Sequence, residues 1–341
     1  MNCLFIFGTR PEAIKMAPLV KEFQKRDTFT VKVCVTAQHR EMLDQVLDFF
    51  DIKPDYDLNL MQPNQTLFDV TAKGLKALEG VLDDCSPEIV FVQGDTTTCF
   101  IGGLAAFYKK IKVGHIEAGL RSNNKYSPFP EEINRELTSK VADFHFAPTI
   151  KAVQNLALEG ISSNVHMVGN TVIDALLLGL NILKQNNTIQ EHFTNIDFSK
   201  RVILVTGHRR ESFGKPFENI ADSIKILAES YQDIEIVYPV HLNPNVRKVI
   251  NGALGNIPNV KLIEPLPYPQ LIWLMNKSYL VLTDSGGIQE EAPALGKPVL
   301  VMREVTERIE GIEAGTAKLV GTSKEKILTE ARLLLDNSQA Y

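Results

Sequence analysis

Side chains that could take part in proton transfer follow short apolar runs at three places in the chain. These side chains are Asp95, Glu117 and His208. A carboxylate taken out of water resists ionisation unless a cation pairs with it, and such a group in a cleft is a candidate acid or base. Two structural alternatives stay open, because Asp95 can simply cap the next helix and Glu117 can form a buried ion pair with Arg121.

A further candidate comes from the proline-rich segment 127–130, which leads into two adjacent glutamates. Adjacent residues of a helix point about 100° apart, so at most one of Glu131 and Glu132 can face a given site directly. The alternative is that both glutamates only complement the positive end of the helix dipole.

Basic side chains that suit anionic groups also lie just after apolar runs. Arg10 and Lys15 follow Gly8 at a predicted helix start, where backbone N–H groups and the helix dipole favour a phosphate. The GK[ST] sequence of a Walker A loop is absent, and a solvated basic pair is the alternative. Arg209 follows His208, and its charge should keep the imidazole neutral at pH 7 and suited to a hydrogen bond or a base role.

The most specific local pattern is a serine followed by two glycines, Ser285, Gly286 and Gly287, between a predicted strand and a predicted helix. Two glycines let the backbone approach a pyrophosphate, and the helix N-terminus supplies hydrogen-bond donors. Glu291 lies one turn into that helix, where it could accept hydrogen bonds from ribose hydroxyls. Arg308 lies downstream and could reach the same phosphates. The alternative is a packing turn that is rich in glycine.

Two sets of short apolar segments, each alternating with helical patterns, must position these side chains. The predicted strands are 3–7, 31–36, 89–93, 112–116, 144–147 and 165–168, and then 202–206, 234–238, 260–263, 280–283, 299–301 and 318–320. This alternation indicates βαβ units around parallel sheets, and therefore an α/β fold of two doubly wound domains. We place the domains at 1–168 and 169–341. Ligands bind beyond the carboxyl ends of the strands in such sheets, where the candidate residues lie.

Composition limits the class of protein. The 341 residues are 44% hydrophobic and 23% charged, which excludes intrinsic disorder as the main interpretation, and the net charge of −5 argues against nucleic-acid binding. The cysteines form no CxxC pair and the histidines form no helical i, i+4 pair, so we expect a reducing compartment and no metal site. No apolar stretch approaches the roughly 20 residues that span a bilayer. We therefore expect a cytoplasmic enzyme with no membrane partner.

Long motifs containing these residues run in order through the chain. They are FGTRPEAIKMAPLV at 7–20, TAQHREMLDQVL at 36–47, GDTTT at 94–98, HIEAGLRS at 115–122, SPFPEEINR at 127–135, TGHRRESFG at 206–214, YPVHLNPNVR at 238–247 and LTDSGGIQEEAP at 282–293. With these motifs the chain resembles the bacterial non-hydrolysing UDP-N-acetylglucosamine 2-epimerases. The resemblance implies a GT-B fold of two Rossmann-like domains with the active site in the interdomain cleft, no cofactor, and a homodimer.

The resemblance also implies an activity and a set of site residues. The activity is reversible C2 epimerisation of UDP-N-acetylglucosamine to UDP-N-acetylmannosamine, by elimination of UDP to 2-acetamidoglucal and re-addition, for cell-surface polysaccharide synthesis. The implied catalytic residues are Asp95, Glu117, Glu131 and His208. The implied UDP contacts are Arg10, Lys15, His208, Ser285, Gly286, Gly287, Glu291 and Arg308. A second, adjacent site, where the substrate acts as an allosteric activator, would include Gln38, Glu131, Arg209 and His241.

The sequence departs from the family pattern at four places, one of which is a nucleotide-contacting segment near 266–271. The family's histidine before Gly-Asp is Gln93 here, and a proline of the family is Ile309, which leaves the backbone beside Arg308 less constrained. The family's final Asn-Pro-Tyr-Gly-Asp-Gly stretch has no counterpart before Tyr341, so we expect its terminal helix to be absent. Glycosyl transfer on the same architecture, hydrolytic epimerisation, and sugar-nucleotide sensing without turnover stay open as alternatives.

Overall fold

A computed structural model describes residues 1–37, 40–62, 64–185, 187–207, 214–306 and 308–341. The chain divides into two compact units, Met1–Leu178 and Gly179–Tyr341. This division lies within a helix over Thr171–Lys184, whereas the boundary expected from the sequence lies shortly before that helix.

The described residues of the first unit form a seven-stranded parallel sheet flanked by helices. Its strands are β1 (Asn2–Phe7), β2 (Thr30–Val35), β3 (Tyr56–Asp57), β4 (Ile89–Gln93), β5 (Lys112–Ile116), β6 (Phe144–Ala147) and β7 (Val165–Met167), in the spatial order β3-β2-β1-β4-β5-β6-β7. Its helices are α1 (Arg10–Gln24), α2 (Arg40–Phe49), α3 (Leu67–Cys85), α4 (Thr97–Tyr108), α5 (Glu131–Val141), α6 (Ile150–Leu158) and α7 (Thr171–Lys184), which continues into the second unit. Strands β1 and β4 are almost entirely apolar and buried, as is typical of parallel strands covered on both faces.

The described residues of the second unit form a six-stranded parallel sheet. Its strands are β8 (Arg201–Thr206), β9 (Ile234–Pro239), β10 (Val260–Ile263), β11 (Leu280–Thr283), β12 (Val299–Val301) and β13 (Ala317–Leu319), in the spatial order β10-β9-β8-β11-β12-β13. Its helices are a 3-10 helix over Asn187–Phe193, α8 (Lys215–Ser230), α9 (Pro244–Leu254), α10 (Tyr268–Lys277), α11 (Gly286–Ala294), α12 (Ile309–Glu313) and α13 (Lys324–Asp336). Each predicted strand is present to within one residue at either end, and the predicted fold class of two Rossmann-like doubly wound sheets is confirmed.

The sequence analysis missed one strand, β3. It contains only two residues, Tyr56 and Asp57, which pair with Cys34 and Val35 at the sheet edge. A strand this short carries no alternation of apolar and polar residues, and its position depends on the partner strand rather than on its own sequence.

None of the helices among these residues is long and apolar enough to cross a membrane.

Candidate active site

The carboxyl ends of β4 and β5 bring two predicted catalytic residues to the same edge of the first sheet. The strands are hydrogen-bonded neighbours, Asp95 lies two residues beyond β4, and Glu117 follows β5 directly. The chain turns sharply at both tips, with φ of +75° at Gly94 and +61° at Glu117. A positive φ is uncommon outside glycine, so the fold holds Glu117 in a conformation that its side chain alone would not favour.

The Glu117 carboxylate is 7% exposed and receives donors on both oxygens. Lys15 on α1 donates to Oε1, and Asn170 Nδ2 lies 3.4 Å from the same oxygen. The side chain of Gln93 donates to Oε2 at 2.9 Å, and Arg135 Nη2 lies 3.5 Å from Oε2. Two cations, Lys15 and Arg135, therefore compensate the charge of this buried carboxylate.

The alternative ion pair between Glu117 and Arg121 is wrong. Arg121 instead donates to Glu159 through Nε at 2.6 Å and through Nη2 at 2.9 Å. The two residues lie only four positions apart, but the turn after β5 separates their side chains.

Asp95 is one-third exposed and accepts a hydrogen bond from Arg135. The alternative that Asp95 caps the next helix is wrong, because the N-cap of α4 is Thr96. The Thr96 hydroxyl oxygen accepts from the Cys99 N–H at 3.1 Å. The Asp95 side chain is therefore engaged by a cation instead of by the backbone of α4.

Helix α5 presents its two leading glutamates differently. Glu132 is 4% exposed, and its carboxylate accepts from the N–H groups of Ser122 and Asn123 at 2.7–3.0 Å. Glu131 has one carboxylate oxygen, Oε2, that is buried and has no hydrogen-bond partner among the described residues. The backbone thus holds Glu132, whereas Glu131 Oε2 has no such partner among the described residues.

The loop before α1 is held by an unusually close packing of backbone against hydroxyl groups. A Cβ at Gly8 would lie 2.0 Å from Thr36 Oγ1 and 2.6 Å from Thr98 Oγ1, so only glycine fits. The buried Glu12 accepts from the N–H groups of Gly8 and Thr9 at 3.0 and 2.7 Å. Burial raises the pKa of this carboxyl group. Arg10 follows as the first, half-buried residue of α1.

His115, on β5, contacts the turn that follows β4. Its imidazole Nε2 donates to the Gly94 carbonyl oxygen at 2.8 Å. Complete burial lowers the pKa of His115 to about 3, so the ring is neutral at ordinary pH. The residue fixes the turn that carries Asp95 and does not itself titrate near neutrality.

In the second unit, the Ser-Gly-Gly turn connects β11 to α11. Ser285 is the N-cap of α11, and its hydroxyl makes no capping hydrogen bond. Among the described residues, a Cβ at Gly287 would have one neighbour within 4 Å, Glu291 Oε2 at 3.7 Å, so the backbone is open to close approach. Glu291 is buried one turn later. The N–H groups at Gly286 and Gly287 begin the helix, which is the arrangement that suits a phosphate.

The loop that carries Arg308 is tied to the same helix. Arg308 Nε lies 2.7 Å from Glu290 Oε1, and the Thr306 hydroxyl donates to Gln289 at 2.6 Å. The structure therefore holds the loop of Arg308 against the middle of α11, the helix whose N-cap is Ser285.

The remaining predicted residues lie elsewhere or outside the described chain. His241 is exposed, and its Nδ1 accepts from the Asn243 N–H at 3.1 Å. Gln38, His208 and Arg209 are outside the described residues. Within the described ranges, no group of three or more histidine, cysteine, aspartate or glutamate side chains could hold a metal ion.

The sequence analysis missed three residues that contact the predicted catalytic carboxylates. Arg135 lies four positions after Glu131, so the helical i, i+4 spacing indicates that both occupy one face of α5. The sequence identifies Gln93 only as a departure from the family pattern and assigns it no role. Asn170 gave no signal, because it reaches Glu117 from a loop after β7.

Comparison with known proteins extends over both compact units. The family model for UDP-N-acetylglucosamine 2-epimerase matches residues 21–341. A relative of that name from Escherichia coli O157:H7 is 55% identical over 346 residues, which cover 100% of this chain and 92% of the relative. The crystal structure of UDP-GlcNAc 2-epimerase from Neisseria meningitidis bound to UDP-GlcNAc matches with a TM-score of 0.89 and 54% identity, covering 100% of this chain and 93% of that one. The Methanocaldococcus jannaschii enzyme in complex with UDP-GlcNAc and UDP matches with a TM-score of 0.80 and 36% identity, covering 99% and 94%.

Proposed function

The chain belongs to the UDP-N-acetylglucosamine 2-epimerase family, and from this premise we propose that it interconverts UDP-N-acetylglucosamine and UDP-N-acetylmannosamine without hydrolysing them. It is an isomerase. The observation that carries the proposal is the pair of carboxylates, Asp95 and Glu117, held at adjacent strand tips by one buried arginine. Proton removal and return at a carbon require a positioned base and a positioned acid, and two carboxyl groups can supply both.

The chemistry of the substrate favours elimination over direct deprotonation. C1 of the sugar is an acetal carbon, so the proton at C2 is not acidic in the bound substrate. In the proposed step a base takes this proton, the C2–H electron pair forms the C1=C2 double bond, and the C1–O bond breaks so that UDP leaves with its electron pair. Proton delivery to the opposite face of C2 and return of UDP to C1 then give the epimer.

Roles for the carboxylates follow from this sequence of steps. Asp95 acts as the base, because it is the more exposed of the two paired carboxylates. Glu117 and Glu131 share proton delivery and stabilisation of positive charge at C1 and the ring oxygen. Inversion needs proton transfer on both faces, so removal and delivery fall to different groups. His208 completes the proposed catalytic set.

Charge that develops on the leaving UDP needs preorganised donors and cations. Arg10 and Lys15 would supply positive charge from the first domain. The backbone N–H groups of the Ser285–Gly287 turn, together with Glu291 and Arg308, would hold UDP in the second domain. Residues 1–168 thus contribute the catalytic carboxylates, and residues 169–341 contribute most of the UDP contacts.

Three further features belong to the proposal. The protein acts as a homodimer, and its product serves cell-surface polysaccharide synthesis. The substrate also activates the enzyme from a second site that includes Gln38, Glu131, Arg209 and His241. The match to the Escherichia coli O157:H7 relative covers the whole chain and so includes the segments that contain these residues.

The decisive experiment is incubation of the protein with UDP-N-acetylglucosamine in heavy water, followed by NMR. We expect UDP-N-acetylmannosamine to appear with deuterium at C2. Release of free N-acetylmannosamine with UDP would indicate a hydrolysing enzyme, and binding without turnover would indicate a sensor. Sugar transfer to an acceptor without C2 exchange would indicate a glycosyltransferase.

The same assay tests the base assignment through Asp95→Asn. The amide keeps the size of the side chain but cannot take up the proton, so we expect C2 exchange to fall by on the order of 100-fold or more. Full exchange in this variant would remove Asp95 from the base role.

A further inference from the structure

Arg135 is the one residue seen to contact both Asp95 and Glu117 among the described residues. Its Nη2 donates to Asp95 Oδ2 and lies 3.5 Å from Glu117 Oε2, while Nη1 donates to the Glu117 backbone carbonyl oxygen. The contact to the carbonyl matters because Glu117 has a positive φ, which this hydrogen bond helps to hold. One planar guanidinium therefore fixes the side chain and the backbone of one carboxylate residue and the side chain of the other.

The position of Arg135 in the fold connects three elements. The side chain extends from the second turn of α5 to the tips of β4 and β5. Glu131 lies four residues earlier on the same helix. Arg135 therefore also links α5, the helix that carries this third carboxylate, to Asp95 and Glu117. Arginine suits this task and lysine does not, because only the guanidinium offers several donors in a fixed plane.

Burial makes the charges of this cluster interdependent. The Arg135 side chain is 6% exposed. Burial alone would lower the pKa of the guanidinium, but the negative charges of Asp95 and Glu117 raise it above its ordinary value. Removing the cation would leave the two carboxylates without their shared counter-charge, so that ionisation of one would oppose ionisation of the other.

We propose that Arg135 is the positioning residue of the epimerase reaction, which aligns Asp95 and Glu117 for proton transfer at C2. This inference rests on the proposed function. Arg135 acts through the two carboxylates and is not itself a proton donor or acceptor in the reaction.

Other titratable groups face the cluster from the neighbouring elements. They are Glu12 and Lys15 on α1, Cys99 on α4, His115 on β5 and Glu131 on α5 itself. Burial raises the pKa of the Cys99 thiol well above its usual range, and burial keeps His115 neutral above a pKa of about 3. Neither residue changes charge in the range where the assay is run, so a shift of the acid limb reports on carboxyl groups, Glu12 included. Only a shift that occurs in Arg135→Gln and not in Arg121→Gln is assigned to the carboxylates that Arg135 contacts.

The test compares Arg135→Lys and Arg135→Gln with the wild-type enzyme. The glutamine variant loses the positive charge, so we expect kcat to fall by on the order of 100-fold and the acid limb of the pH–rate profile to move up by about one pH unit or more. The lysine variant keeps the charge but cannot bridge the three oxygen atoms. We therefore expect a lower kcat with an acid limb close to that of the wild type, and little change in KM in either variant.

Arg121 provides matched controls. It is also a buried arginine, with a side chain 3% exposed, but it pairs with Glu159. Arg121→Lys and Arg121→Gln should change the stability of the protein without moving the acid limb. Equal changes in the Arg121 and Arg135 series would overturn the proposal and leave Arg135 a structural residue.

The outcomes separate this inference from the proposed function. Absence of C2 exchange in the wild-type protein would refute the function itself. Exchange in the wild type with unchanged kcat and pH profile in Arg135→Gln would refute only the inference. If the glutamine variant does not fold, Arg135→Lys decides, because an unchanged kcat in that variant would also overturn the positioning role.

Discussion

At the scale of single residues, burial couples the side chains around the tips of β4 and β5. Glu117 depends on Lys15 and Arg135 for compensation of its charge, and His115 depends on staying neutral. In water, each of these side chains would show the protonation behaviour usual for its residue type. Their properties in the protein follow from the low dielectric around them and from the partners that the fold supplies.

The first prediction concerns His115 and pH. The unfolded chain takes up a proton at this residue below pH 6.5, whereas the folded chain does so only near pH 3. The unfolded state therefore binds more protons in this range, so the stabilisation is complete above pH 6.5 and is lost as the pH falls. We expect the free energy of unfolding to decrease by up to about 1.4 kcal/mol per pH unit from this residue. Urea unfolding at several pH values should show a shallower dependence in His115→Gln, and an identical dependence would contradict the assignment.

The second prediction concerns Gly8. An alanine Cβ would collide with the Thr36 and Thr98 hydroxyl groups, so Gly8→Ala should destabilise the first unit by about 2 kcal/mol. Gly80 is the matched control, because it lies exposed in α3 with no atom within 4 Å of an added Cβ. Gly80→Ala should instead stabilise the protein by about 0.5–1 kcal/mol through helix propensity. Thermal unfolding of both variants checks the opposite signs.

At the scale of elements, the starts of α1 and α4 are joined by one carboxylate. Glu12 completes the capping box of α1 with Thr9 and also accepts from the hydroxyl of Thr96, the N-cap of α4, at 2.6 Å. Arg10 is the first residue of α1, and Asp95 lies in the loop just before α4. The geometry of the site thus depends on how these helices begin, and not only on the strands.

The third prediction follows from the contacts of Glu12 with both helix starts. Glu12→Gln replaces one acceptor oxygen with an NH₂ group that faces existing donors, so we expect destabilisation by about 1–3 kcal/mol. The capping box of α3, formed by Thr66 and Asp69, is exposed and serves as the control. Asp69→Asn should lower the free energy of unfolding by no more than about 1 kcal/mol. Equal effects in urea unfolding would show that the contact between α1 and α4 adds no stability.

At the scale of the whole molecule, the chain consists of two compact units, each with its own parallel sheet and buried core. Separate cores predict separable unfolding transitions. Gly8→Ala should lower only the transition of the first unit, which allows each transition in a calorimetric scan to be assigned.

The fourth prediction uses this assignment to test UDP binding. A ligand that binds the folded state stabilises it by about 2.7 kcal/mol when present at 100 times its Kd. We expect UDP to raise the transition of the second unit. Gly287→Ala should leave that transition unchanged without ligand, because the added Cβ meets no atom closer than 3.7 Å. The same variant should bind UDP at least about tenfold more weakly, since the Cβ blocks close approach of a phosphate. An undiminished shift by UDP in Gly287→Ala would remove the glycine turn from the UDP site.

Local sequence patterns were sufficient to predict most of the secondary structure and the loops that carry the site. Each predicted strand is present, and Asp95, Glu117 and Ser285 lie at strand ends as expected. The reason is that buried parallel strands are continuous apolar runs, and glycine and polar residues mark where those runs end. The order of the motifs along the chain was likewise enough to indicate the family.

Only the tertiary structure decided which side chains meet. Glu117 pairs with Lys15, 102 residues away in the chain, and not with the nearby Arg121. The capping role expected as an alternative for Asp95 belongs to Thr96, and β3 exists only because β2 offers it a partner. Ion pairing and edge-strand pairing depend on distances in space between elements remote in sequence, whereas helix and strand patterns depend on neighbours along the chain.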